Sequence, residues 1–121
     1  MINTAKTLKL FFSGFGIPAY TLQSVPEEVQ LPFLTYPLLE PEWDQESTMY
    51  CQVWYPKNHL ADLLEKADAI AKAVGTMKEF PQEGGYVVLY PSTPFIQILT
   101  DDKTQSAYIN LILRTYHMPG D

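Results

Sequence analysis

Between Asn58 and Gly75, Leu60, Leu63, Leu64, Ala67, Ile70, Ala71 and Val74 recur three and four residues apart, the spacing of one helical face. The stretch predicts a long amphipathic helix. Asn58 is available to accept a first-turn N–H, Asp62 lies near the positive end of the helix dipole, and Gly75 suits the stop. From Thr48 to Tyr55 the period changes to two: Met49, Cys51, Val53 and Tyr55 share one face, and Tyr50, Gln52 and Trp54 the other. That alternation predicts a strand ended by Pro56. Ala107 to Tyr116 alternates in the same way, with Ala107, Ile109, Leu111 and Leu113 on the face suited to the helix.

Weaker patterns complete the chain. Ile2, Ala5, Leu8, Phe11 and Phe12 predict a first helix, with Asn3 or Thr4 as its cap and Gly14 or Gly16 as its stop. Residues 17–30 read as a connection with one short extended piece near Ala19 to Leu22. Leu31 to Leu39 predicts a strand, and Pro32 and Pro37 confine it to an edge or to strand ends. Thr76 to Gly85 reads as a loop, and Tyr86 to Tyr90 as a compact strand stopped by Pro91 and Pro94. Phe95 to Thr100 forms a hairpin with the last strand across Asp101 to Gln105. The order is helix, two strands, helix, three strands. It predicts a single α+β domain over residues 1–121: a two-layer sandwich with a mainly antiparallel sheet of about four to five strands and two helices packed on one face.

Composition sharpens this picture by exclusion. A chain of 121 residues with 46% hydrophobic side chains supplies one core without cross-links. The single cysteine, Cys51, has no internal partner, which suits a reduced compartment. Net charge is −6 and the pI near 4.7, opposing tight, sequence-independent grip on nucleic acid. The first fifteen residues are interrupted by Ser13 and Gly14 before an export-signal core forms, and no run reaches the roughly 20 apolar residues of a membrane span. The expectation is a soluble chain.

Reactive chemistry is sparse. His59 and His117 stand apart, and Cys51 sits within an alternating strand where a buried, inert thiol is expected, so no metal or cofactor set is read. His117 is expected in a short loose tail. The turn Glu40 to Ser47 holds Glu40, Glu42, Asp44 and Glu46 around Trp43 without the oxygen pattern of a calcium loop. Gly84 and Gly85 precede a strand, not a helix, so they form a turn instead of a phosphate cradle. No acid and base pair can be named, which argues against an enzyme. Trp43, Tyr50, Trp54, Tyr108 and Tyr116 exceed what one small core holds. They belong either at a partner's surface or in cross-strand pairs.

The succession "LPFLTYPLL", an acidic turn, "STMYCQVWYP", "NHLADLLEKADAIAKAVG" and "SAYINLILRTYHM", preceded by a short helix, resembles the small tail-terminator and tail-completion proteins of long-tailed bacteriophages and prophages, the lambda-type terminator among them. The resemblance implies a non-enzymatic virion part in the tail or neck, assembled in the bacterial host cytoplasm. It implies a ring of identical copies, commonly a hexamer, that caps the tail tube, ends its polymerisation and meets the head connector. DNA would pass through only as cargo, and no membrane is involved. On that reading Trp43, Asp44, Glu46, Gly84, Gly85 and Tyr86 are candidates for the subunit interface or the channel wall. The alternatives are a head–tail joining or stopper protein of the neck and a small α+β ligand-binding or regulatory domain.

Overall fold

The computed structural model describes residues 4–118. Helix α1 (Thr4–Phe12) runs into a single 3-10 turn, Ser13–Phe15, and Gly16, at a φ of 81°, turns the chain away. Strands β1 (Ala19–Thr21), β2 (Phe33–Tyr36) and β3 (Glu46–Pro56) precede helix α2 (Leu60–Val74). Strands β4 (Lys78–Gln82), β5 (Gly85–Thr100) and β6 (Thr104–His117) follow it. They form one sheet in the order β1-β2-β3-β6-β5-β4.

The architecture corrects the sandwich expected from the sequence. The sheet has six strands, not four to five, and it is mixed, because β1 runs parallel to β2 while the remaining pairs are antiparallel. It curls into a half-barrel, and about 46% of the structure is strand. The class remains α+β. Three local differences account for this. The short extended piece in the segment read as a connection is β1, which joins the sheet parallel to β2. The segment expected to be a loop before Gly85 contains β4, an edge strand that tolerates Pro81. The two strands expected on either side of Pro91 and Pro94 are one strand: β5 passes from Pro91, opposite Leu111, to Ile96, opposite Ile109, and absorbs the extra residues in a bulge.

One core lies between the sheet and the helices. Met49, Cys51, Val53 and Tyr55 of β3 and Ala107, Ile109, Leu111 and Leu113 of β6 meet Leu63, Ala67, Ile70 and Val74 of α2. Leu8 and Phe12, one turn apart on α1, enter the same core, and Phe12 stacks on Tyr36 with ring centroids 5.0 Å apart. The buried stripe of α2 is narrower than its apolar pattern, for Leu60 and Leu64 are exposed. Its start also differs from expectation. Asn58 occupies a positive-φ turn at 69°, His59 takes the cap position without a side-chain cap bond, and Nδ1 of His59 lies 3.3 Å from the Asp62 carboxylate. The candidate cap Asn3 and the apolar Ile2 lie outside the described residues.

The opposite sheet face carries the surplus aromatics as cross-strand pairs. Phe33 stacks on Trp54 with centroids 6.0 Å apart, Tyr50 meets Tyr108 edge-on at 4.9 Å, and Tyr86 stacks on Tyr116 at 5.4 Å. Between them Gln52 Nε2 donates to Ser106 Oγ at 3.1 Å, so this buried polar pair is satisfied across β3 and β6.

Candidate functional site

The strand order brings the β2–β3 loop, the β4–β5 turn and the end of β6 to one end of the sheet. All six residues singled out from the sequence lie in this cluster, although the acidic loop and the Gly-Gly turn are separated by some forty positions. Trp43 is the wedge. Its indole ring lies over the turn so closely that a Cβ on Gly84 would come 3.1 Å from Cζ2, and one on Gly85 would come 2.7 Å from Cζ3. The same Cβ on Gly85 would stand 2.0 Å from the Tyr116 carbonyl oxygen, so only glycine fits there. Gly84 adds a backbone requirement, with φ at 84°.

Asp44 is held by its backbone and its side chain together. It adopts a φ of 60°, and its Oδ1 accepts the His117 N–H at 3.0 Å. His117, expected in a loose tail, is instead the last residue of β6, with its ring 5.2 Å from that of Trp43. Met118 N–H donates to the Gly84 carbonyl at 2.8 Å, which fastens the residue after β6 to the turn. Beneath the loop, Thr115 is fully buried and works in three directions. Its N–H donates to the Gln45 carbonyl at 3.0 Å, its hydroxyl accepts the Gln45 N–H at 3.3 Å, and the same hydroxyl donates to the Glu42 carbonyl.

Glu46 and Tyr86 flank this knot. Glu46 Oε2 lies 3.7 Å from Arg114 Nη1 on the paired strand, and the Arg114 guanidinium covers the Tyr116 ring at 5.2 Å. Both charges of the pair are substantially solvated, so it contributes little stability. The Tyr116 hydroxyl meets the Tyr90 hydroxyl at 2.9 Å, and that hydrogen bond, followed by partial burial, holds the Tyr90 phenol above its ordinary range. Glu42, Asp44 and Glu46 are all exposed, Asp44 with one oxygen bonded to the His117 N–H and Glu46 facing Arg114.

Thr115, Tyr116, Arg114 and His117 belong to this site, and sequence reading did not single them out for it. The alternation along β6 identifies which face each occupies, but only the pairing of β3 with β6 places Glu46 opposite Arg114. Elsewhere, Cys51 is fully buried and burial pushes its thiol far up, away from the reactive thiolate. Among the described residues no three His, Cys, Asp or Glu side chains are grouped to hold a metal ion. A cleft of about 410 Å³ between the β5 bulge and the start of β3 has Tyr50 as its one titratable lining residue. A groove of about 520 Å³ between α1 and β4 has Lys78.

No protein-family model matches the chain, and no curated protein matches it.

Proposed function

We propose that this chain is a ring-forming structural protein of a bacteriophage tail, a terminator that caps the tail tube and joins it to the head connector. The observation that carries the reading is the loop cluster: two surface loops and a strand end tied together by hydrogen bonds around Trp43, with exposed carboxylates, at one end of the sheet. Stiffness matters for a capping part, because an ordered contact surface loses little conformational entropy when copies associate. The carboxylates of Glu42, Asp44 and Glu46 outnumber the one cation beside them, Arg114, and leave that surface net negative, as a wall past which DNA moves by repulsion requires.

Partners on this reading are other copies of the chain, the tail tube protein and the head connector, in a virion assembled in the bacterial cytoplasm. Electron micrographs of particles lacking the protein test it directly. Overlong tails are expected. Tails of normal length beside heads that leak DNA would move the chain to a joining or stopper role in the neck. Purified protein mixed with tail tubes is expected to form rings of about six copies on the tube end, and the pair Glu42→Lys and Glu46→Lys is expected to weaken that assembly while the monomer stays folded.

A further inference from the structure

The distal half of β5 is an open sheet edge. β4 pairs with β5 only between Gly85 and Leu89. Beyond the bulge, Phe95 to Thr100 has β6 on one side and, among the described residues, no strand on the other. Sheets blunt such edges with charge, proline, a bulge or short length. The last proline of β5 is Pro94, and the six residues that follow it, Phe95 to Thr100, carry neither proline nor charge. Ile98 and Leu99 point to opposite faces and are 39% and 50% exposed.

The turn keeps this edge in order. The Asp101 carboxylate accepts the Lys103 N–H at 2.8 Å, the Thr104 N–H at 2.7 Å and the Thr104 hydroxyl at 2.9 Å. Lys57 N–H donates to the Lys103 carbonyl at 3.0 Å and ties the tip to the end of β3. Asp101 N–H donates to the Thr104 carbonyl, so these two residues form a hydrogen-bonded pair of the ladder. Antiparallel alternation then directs the backbone groups of Leu99 and Gln97 toward β6, and those of Thr100, Ile98 and Ile96 toward the open edge.

We propose that this edge takes up the same segment of a second copy, in antiparallel two-fold pairing centred on Ile98. In that register Ile98 meets its counterpart and Ile96 meets Thr100 of the second copy, so the outward backbone groups of the segment pair in both directions. Asp101 falls opposite Phe95 and Asp102 opposite Pro94 of the second copy, and no like charges face each other. The other edges fit less well. β1 has three residues, and β4 contains Pro81 and lies against α1 through the Thr7–Gln82 hydrogen bond and the Phe11–Phe80 contact. A two-fold contact cannot by itself close a larger ring, so this pairing is separate from the loop cluster and does not rest on the proposed function.

Disulfide trapping tests the register. Two Ile98→Cys residues would face each other at the Cα spacing of about 5.5 Å of a hydrogen-bonded pair, within disulfide reach. Leu99→Cys, more exposed, would face Gln97 instead, and the native Cys51 is buried. Under mild oxidation Ile98→Cys is expected to dimerise at least about tenfold faster than Leu99→Cys. Sedimentation of the unmodified chain is expected to show reversible pairing that Ile98→Lys abolishes with an unchanged circular dichroism spectrum. Equal trapping rates, a monomer at every concentration, or pairing that survives Ile98→Lys would each overturn the proposal.

Discussion

Alanine at Gly85 is the sharpest test of how the loop cluster is built. The added methyl would meet the Tyr116 carbonyl oxygen at 2.0 Å and Trp43 Cζ3 at 2.7 Å. A side chain can rotate away, but the Tyr116 carbonyl belongs to β6, whose Tyr116 pairs with Tyr86 in the ladder. The strand must therefore move. Overpacking of this kind costs about 1–3 kcal/mol, and the backbone obstacle puts Gly85→Ala toward the upper part of that range. For a domain of this size the whole range corresponds to a fall in melting temperature of roughly 4–12 °C, and its upper part to roughly 8–12 °C. Gly14 is the internal control, because a Cβ there meets nothing within 4 Å; Gly14→Ala is expected to be neutral or to stabilise by up to about 1 kcal/mol through the unfolded state. Thermal and urea unfolding of both variants measure the difference. Combining Gly85→Ala with Trp43→Ala separates the two obstacles, since removal of the indole leaves the carbonyl in place. If Gly85→Ala melts with Gly14→Ala, or if Trp43→Ala fully restores it, the carbonyl is not the constraint and the reasoning fails.

Thr115→Val keeps the shape of a buried side chain and removes its hydroxyl, leaving the Glu42 carbonyl and Gln45 N–H without that partner. A loss of about 1–3 kcal/mol in urea unfolding is expected, with faster amide exchange in the 42–46 loop, and unchanged exchange would show that the loop is held elsewhere. Cys51 is expected to resist thiol reagents at pH 8 until urea unfolds the chain; stoichiometric labelling of the native protein would contradict its burial. Tyr36, Tyr55 and Tyr90 all have phenols raised in the folded state, Tyr36 and Tyr55 mainly by burial and Tyr90 mainly by its bond to Tyr116. Their contribution is full below the unfolded phenol value of about 10 and is lost as pH rises through the folded values, so stability should fall on the alkaline side and stay level there only if the assignment is wrong. Asp101 is lowered by hydrogen bonds from the backbone N–H groups of Lys103 and Thr104. Its contribution to the turn is present above the ordinary aspartate range and lost as pH falls through the lowered value; Asp101→Ala should therefore speed exchange of those two amides at neutral pH and have little further effect once the wild-type carboxyl is protonated.

How far the sequence could be read depended on whether the determining contacts were local. The α2 helix was legible because its core contacts repeat every turn, and β3 and β6 because burial on one face imposes a period of two. The cap was misassigned because a turn after Pro56 places Asn58 at positive φ, a demand of the chain's path that helix propensity does not carry. β4 was hidden by Pro81 and two charged residues, Lys78 and Glu79, which an edge strand accepts. β5 appeared broken because prolines punctuate a local pattern, whereas a bulge takes them without ending the strand. Both halves of the loop cluster were visible as an acidic turn and a Gly-Gly turn. Their meeting was not, because it requires β6 to lie between β3 and β5, a pairing of strands far apart in the chain. Trp43 and Gly85 each make ordinary sense alone, and only the 2.7 Å that would separate a Cβ on Gly85 from the indole shows that the two meet.

The two ends of the sheet solve opposite problems with the same chemistry. At the loop cluster, backbone groups that leave the ladder are taken up within the chain: His117 N–H by Asp44, Met118 N–H by the Gly84 carbonyl, and Gln45 N–H by Thr115. What that end offers a partner is therefore shape, aromatic surface and carboxylates, a contact tuned by salt and by charge reversal. At the hairpin tip the turn is just as well satisfied through Asp101, yet the strand beside it leaves its outward backbone groups open and carries no charge. That end offers hydrogen bonds in a fixed register, a contact insensitive to salt and sensitive to a one-residue shift. A titration of self-association against ionic strength can therefore tell the surfaces apart without any mutation. An assembly held at the acidic end must change with salt, because charged side chains must approach one another there, whereas pairing along β5 must survive the same titration.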